Sequence, residues 1–259
     1  MYCTKCGKQI NFGDKFCVGC GNNLEQHNVN QGNNQISNII GDVEKSSKMK
    51  DIATVLMFTL GIFVLSLLFM IIYNVMHGID IFDTESLPAS ITFLPFLVFL
   101  ITFSMMYFKT LKKDMNRITK KQLLFVVIMS VVILAANMGM SILLDILNIT
   151  ISNQESAEEA FMQNMLLSGF SMIIAAPIVE ELVFRRALNG IVTNTALFLI
   201  ISSLFFAVMH WSGTATFVYV VSGFLFALVY IKTDKNVVAA IIAHFINNAV
   251  SVVVMLFTL

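Results

Sequence analysis

PIVEELVFRRALNG, residues 177–190, sits in a long apolar run and yet carries two glutamates and two arginines. Whether that run is a soluble core helix or a membrane helix decides the fold. Composition answers the question: 57% of the 259 residues are apolar and 12% are charged, against about 25% charged in a soluble domain. Apolar runs of about 18 residues or more recur, each long enough to cross about 30 Å of hydrocarbon. The chain is expected to be an all-α, polytopic transmembrane helical bundle with the lipid bilayer as its solvent. Net charge is formally zero, which gives no argument for a nucleic-acid partner. MYCTKCGKQ, residues 1–9, is not a charged segment followed by an apolar one. No cleavable signal peptide is expected, and the first spanning helix does the targeting.

About seven spans are predicted, near 51–75, 88–108, 122–145, 164–190, 195–210, 215–231 and 236–257. With the N-terminus inside, the inner side receives all 16 Lys and Arg. They lie in the N-terminal segment, the loop 109–121, the turn after Arg185 and Arg186, and the turn 232–235. The outer loops carry acids instead: Asp80, Asp83, Glu85, Asp145, Glu155, Glu158 and Glu159. The positive-inside rule therefore predicts a multi-pass cell-membrane protein with a cytoplasmic N-terminus. Residues 51–150 read as accessory transmembrane helices and 164–257 as a transmembrane core holding the intramembrane charges. Residues 23–50, rich in Asn, Gln, Ser, Gly and Lys, read as a flexible linker.

All four cysteines fall at the start, as Cys3, Cys6, Cys17 and Cys20. Two C-x-x-C pairs ten residues apart make the spacing of a four-thiolate zinc site. Gly7 and Gly21 follow the second cysteine of each pair and relieve a tight turn around a metal. The alternative is two disulfides, which a reducing cytoplasm disfavours. Residues 1–22 are therefore expected to be a small zinc ribbon whose structural zinc supplies most of its folding free energy. It either recruits a protein partner or caps the N-terminus.

Intramembrane ionisable residues cost about 2.5–3.5 kcal/mol each on insertion scales and usually serve a function. Here they are Glu180, Glu181, Arg185, Arg186, His210 and His244, with Asn248 as a polar neighbour. At about 100° per residue, Glu181 and Arg185 lie some 40° apart and can pair, while Glu180 points about 140° away from Arg185. Glu180 is thus the glutamate left for chemistry, and Arg186 is expected to snorkel to the inner surface. Glu180 lies 14 residues before Asn194, and His210 lies 16 after it. At about 1.5 Å per residue both sit about 21–24 Å above that turn. His244 and Asn248 rise about 15 and 21 Å above the turn near Asp234. The four fall in one layer, with Phe206 on the face of His210. Pro177 deletes one backbone hydrogen bond just before the glutamates and is expected to bend the helix. Each histidine alone is as well explained by interhelical hydrogen bonding. Together, a carboxylate and a histidine can activate a water, while His244 and Asn248 can donate to an oxyanion. Two histidines and a glutamate could instead hold an active-site zinc, although no H-E-x-x-H pair is present.

E-E-x-x-x-R (Glu180 to Arg185), F-x-x-x-H (Phe206 to His210) and H-x-x-x-N (His244 to Asn248), in that order, resemble the CAAX-protease and bacteriocin-processing family. That family is also called Abi, or type II CAAX prenyl endopeptidase-like. The resemblance covers about residues 164–250. It implies an intramembrane endopeptidase, formerly called a metalloprotease, acting on a peptide or membrane-protein substrate. Glu180 and His210 would activate the water, His244 and Asn248 would form the oxyanion site, and Glu181 and Arg185 would support it. It also implies a bacterial source and a link to bacteriocin maturation or immunity. A non-catalytic membrane immunity or partner-binding protein of the same fold is the alternative.

Overall fold

The chain, described here from a computed structural model, divides into two compact units, Met1–Met49 and Lys50–Leu259. The described residues exclude 1, 4, 12–13, 24, 82–87, 89–90, 92, 150–158, 160, 212–215 and 259, and the side chains of 25–44 and 258. Four of the expected outer-loop acids, Asp83, Glu85, Glu155 and Glu158, therefore lie outside them.

In the first unit, two similar knuckles follow each other fourteen residues apart. Isolated antiparallel bridges join Tyr2 to Gln9 and Phe16 to Asn23. Cys3 accepts from the Gly7 amide and Cys17 from the Gly21 amide, both at 2.8 Å. Gly7 and Gly21 sit at φ +71° and +66°, the left-handed region where glycine is favoured. The following segment, expected as a flexible linker over 23–50, is described as helical from Glu25 on. Helix α1 runs from Glu25 through His77. Residues 23–50 hold no proline, and Asn, Gln and Ser each cost less than about 0.7 kcal/mol in a helix. A helix nucleated in the apolar run beyond Asp51 needs only to propagate backwards.

The second unit continues with α2 (Leu94–Met106), α3 (Phe108–Arg117) and α4 (Lys120–Ile146). Next come α5 (Met165–Ile191), α6 (Thr195–Met209), α7 (Phe217–Lys232) and α8 (Val237–Thr258). Among the described residues, four helices are long and apolar enough to cross a membrane: α1 over Lys45–His77, α4, α5 and α8. A fifth arises if α2 and α3, bent by 75° at Tyr107, count as one span. The other two of the expected seven are α6 and α7, with 15 and 16 residues. At about 1.5 Å per residue they reach about 22–24 Å, short of the hydrocarbon thickness.

The basic loops converge at one end of this unit. Asp114 of α3 accepts from the Val237 amide at 3.0 Å, and Asn236 donates to the Asp114 carbonyl at 2.9 Å. Arg117 donates to the Asp234 carbonyl, and Gln122 reaches both the Thr233 carbonyl and the Asp234 carboxylate. These bonds anchor the start of α8 and so fix the height at which His244 stands. α5 is the buried central helix. Val179, Leu182, Val183 and Phe184 are fully buried against Phe58, Phe99, Phe198 and Phe226 of its neighbours. A β-carbon on Gly223 of α7 would stand 3.1 Å from the backbone of Ser203, so a small residue there lets α6 and α7 approach closely.

Candidate active site

α5 does not run as a regular α-helix past the glutamates. Two wide turns interrupt it, Ser171–Ala175 and Leu182–Ala187, in which amides reach carbonyls five residues back. Such turns occur as isolated bulges, often at functional sites. The first stands directly before Pro177, in keeping with the expected distortion. Glu180 and Glu181 lie between the two.

Glu181 has a partner at each oxygen: an ion pair at Oε2, which accepts no hydrogen bond among the described residues, and a hydrogen bond at Oε1. Its Oε2 lies 3.1 Å from Arg185 Nε, and its Oε1 lies 2.9 Å from His244 Nδ1. Arg185 is wholly buried and also donates to the Gly223 carbonyl at 3.1 Å. Its guanidinium stands 5.0 Å from the Phe206 ring, 5.7 Å from Phe226 and 5.9 Å from Phe184. A buried charge is tolerable only with partners of this kind. The expected Glu181–Arg185 pair is therefore formed, and it has a third member, His244.

Glu180 faces the opposite situation. Its Oε2 is buried and has no hydrogen-bond partner among the described residues. It lies 3.8 Å from His210 Nε2 and 3.9 Å from His244 Nε2. Both distances exceed a hydrogen bond. The other nitrogen of each ring is committed. His210 Nδ1 meets the Phe206 carbonyl at 2.9 Å, and a carbonyl only accepts, so Nδ1 carries the proton. His244 Nδ1 faces the Glu181 carboxylate in the same way. In their neutral forms both rings turn an unprotonated Nε2 toward Glu180. His210 stacks between Phe206 at 4.3 Å and Tyr219 at 5.0 Å, and His244 stacks on Phe226 at 4.4 Å. The His210 side chain keeps 28% of its surface exposed while Glu180 keeps 5%.

Glu180, His210 and His244 thus meet in one layer, with Phe206 beside them. Asn248 is held elsewhere: its Nδ2 donates to the Met172 carbonyl at 2.9 Å, and its Oδ1 accepts from Asn247. Arg186, expected to snorkel, has a protein partner. It reaches Asp51 at 3.3 Å, and Asp51 accepts from Tyr107 at 2.7 Å. Asp51 is buried and Gly190 leaves the room for it. Its place at the edge of the first apolar run made it resemble a helix-end charge. The small polar residues of α6 and α7 do more than fill space: Ser202 donates to the Phe184 carbonyl and Ser222 to Asn137. An asparagine in the middle of the apolar run of α4 was the available signal for the last of these.

Two ligand sets can be tested for a metal. In the ribbon, the Sγ atoms of Cys3 and Cys20 are 3.7 Å apart and those of Cys6 and Cys17 are 3.6 Å apart. All four lie within 4.8 Å of one another. A disulfide would bring two of them to about 2.05 Å. Four thiolates at about 2.3 Å around a tetrahedral ion stand about 3.8 Å apart, so the set fits a metal ion. The Gly19 amide, 3.4 Å from Cys17 Sγ, draws that thiol down to about 6. Among the described residues no second group of three or more His, Cys, Asp or Glu ligand atoms converges within that distance. The trio in the membrane is therefore more open than the ribbon quartet.

Residues 162–250 match the family described as "Type II CAAX prenyl endopeptidase Rce1-like". An uncharacterised protein of Mycoplasma capricolum subsp. capricolum is 35% identical over 98 residues, 37% of this chain and 29% of that protein. "Putative membrane peptidase YdiL" of Bacillus subtilis (strain 168) is 34% identical over 86 residues, 32% of this chain and 35% of that protein. The chain thus spans about a third of the length of the curated relatives it matches. No solved structure matches it significantly. Glu180, His210, His244 and Asn248 all fall inside the matched segment, so the similarity to the Type II CAAX prenyl endopeptidase Rce1-like family rests on residues 162–250.

Proposed function

We propose that the chain is an intramembrane endopeptidase in which Glu180, with His210, activates a water against a peptide bond of a peptide or membrane-protein substrate. One observation carries this reading: a buried carboxylate oxygen without a hydrogen-bond partner faces two imidazole nitrogens at 3.8 and 3.9 Å. That gap is too long for a direct bond and within reach of one water oxygen lying beside both. The water donates to Glu180 Oε2 and His210 Nε2, and its lone pair is left free to attack the carbonyl carbon. Glu180 takes the proton as the C–O bond forms. If His244 takes a second proton from solvent at Nε2 before the reaction, it donates that N–H to the oxyanion and keeps the proton throughout, with Glu181 beside its Nδ1. Glu180 then returns the proton to the amine as the C–N bond breaks. Phe206 keeps the His210 ring in place by stacking. The family match and the peptidase relative support this class of activity.

The ribbon metal is proposed to be zinc, from its four thiolates. The orientation with a cytoplasmic N-terminus is supported by the basic loops that meet at one end of the membrane unit. The relatives in two bacteria support a bacterial source.

The test is cleavage of a membrane-protein substrate by purified protein in detergent. Glu180→Gln and His210→Ala are expected to abolish cleavage with unchanged elution and unfolding midpoint. Wild-type cleavage by either folded variant overturns the reading. Metal analysis of the same samples separates the rival mechanism: a second metal equivalent, lost with His210→Ala but kept in Cys3→Ser, would make the site a metallopeptidase.

A further inference from the structure

Pro177 removes a backbone donor three residues before Glu180. The turn around it is wide: the Ala176 amide donates to the Ser171 carbonyl, five residues back. In that register the next donor is residue 177 and its acceptor is the Met172 carbonyl. Proline has no N–H to give. The Met172 carbonyl is met from another helix, by Asn248 Nδ2 at 2.9 Å.

The direction of that amide is dictated by what surrounds it. A carbonyl only accepts, so Asn248 must turn its nitrogen to Met172. Its Oδ1 then accepts from Asn247 Nδ2 at 3.2 Å, and Asn247 Oδ1 accepts from Asn137 Nδ2 at 3.0 Å. Asn137 Oδ1 accepts from Ser222 Oγ at 2.7 Å. Every link has one donor and one acceptor, and the chain joins α7, α4, α8 and α5. Asn137 lies outside the matched segment 162–250, so this chain ties the accessory helices to the helix that carries the glutamates.

We propose that Asn248 is a positioning residue: it supplies from α8 the hydrogen bond that Pro177 cannot make, and so holds the wide turn that sets the height and rotation of Glu180. Asn247 and Asn137 keep its amide turned the right way. The activity arm of the test rests on the reading of Glu180 given above; the stability arm does not. An oxyanion donor would spend its N–H on substrate, whereas here an N–H of Asn248 is spent on the backbone.

The experiment is a double-mutant cycle of Asn248→Ala with Pro177→Ala, read by unfolding midpoint in detergent and by cleavage. The Pro177→Ala substitution returns an N–H. In the wild-type background, Asn248→Ala is expected to lower the midpoint by about 2–4 °C for the one unpaired carbonyl. It should also lower kcat by about tenfold or more with KM unchanged. In the Pro177→Ala background less than half of each loss is expected. Equal losses in both backgrounds overturn the proposal and return Asn248 to a direct role with substrate. If Pro177→Ala does not fold, the pair Asn137→Ala and Asn248→Ala decides: no further loss in the double variant supports the chain, and losses that add overturn it. If Glu180→Gln keeps wild-type cleavage, the peptidase reading falls while the midpoint cycle still decides this one.

Discussion

Glu180 and Glu181 are neighbours in sequence, yet neutralising them should have opposite consequences. Glu181→Gln keeps one oxygen for His244 but places an NH2 where Oε2 now stands 3.1 Å from Arg185 Nε. The guanidinium, with no exposed surface, is left with the Gly223 carbonyl and three aromatic faces. Breaking one side of a buried ion pair costs about 3–5 kcal/mol. The aromatic contacts are present before and after and offset none of it. At about 2–4 °C per kcal/mol for a unit of this size, the midpoint should fall by about 6–20 °C. Glu180→Gln is isosteric and breaks no hydrogen bond at Oε2, so its midpoint should stay within about 1 °C. Cleavage should fall by about 10² to 10⁴, the range for loss of a positioned base. The assay is thermal unfolding in one detergent, followed by the single tryptophan, Trp211, with cleavage measured well below both midpoints. A shift for Glu180→Gln as large as that for Glu181→Gln would refute the division of labour between the two carboxylates.

Three further outcomes are expected. A β-carbon at Gly190 would come within 2.7 Å of Asp51 Cγ. Gly190→Ala should therefore push Asp51 off Arg186 and Tyr107 and cost about 1–3 kcal/mol, read as a lowered midpoint; an unchanged midpoint would show that the Asp51 cluster carries no load. Phe206→Leu keeps apolar volume but loses the 4.3 Å stack on His210. Its cleavage should drop by about tenfold with a midpoint change under about 4 °C, measured on the same samples. Cys3→Ser with Cys17→Ser should take bound metal from about one ion per chain to none by elemental analysis, and retained metal would remove the ribbon as its site.

Height along the membrane was legible in the sequence. The rise of a helix is fixed, and the lysines and arginines mark one end of every hairpin. Counting from Asn194 and from Asp234 brought Glu180, His210 and His244 to one layer, and they stand 3.8 and 3.9 Å apart across it. The ends of α4 to α8 fell within about two residues of expectation for the same reason. Partners were less legible. Rotation accumulates through the two wide turns of α5, which no local pattern announces, and a partner such as Asp51 lies 135 residues from Arg186. The crossing count was also less legible, since α6 and α7 are apolar but, at 15 and 16 residues, shorter than the helices that qualify as spans by length. The ribbon was legible because four thiolates at that spacing leave few arrangements.

The two glutamates differ in how their charge is met. Glu181 is ion-paired with Arg185 at Oε2 and hydrogen-bonded by His244 at Oε1, although Oε2 accepts no hydrogen bond among the described residues. Glu180 receives no hydrogen bond at Oε2 among the described residues and faces two rings whose protons are held on their far nitrogens by Phe206 and Glu181. Glu180 Oε2 and the Nε2 atoms of His210 and His244 converge there. A layer of acceptors in an apolar helix bundle is costly unless a donor enters. In the proposed mechanism, a water donating to two of these atoms keeps both lone pairs, one of them for attack. The four-residue spacing that lets Glu181 pair with Arg185 leaves Glu180, one residue earlier, without such a pair, and on that reading this is the carboxylate that holds the attacking water.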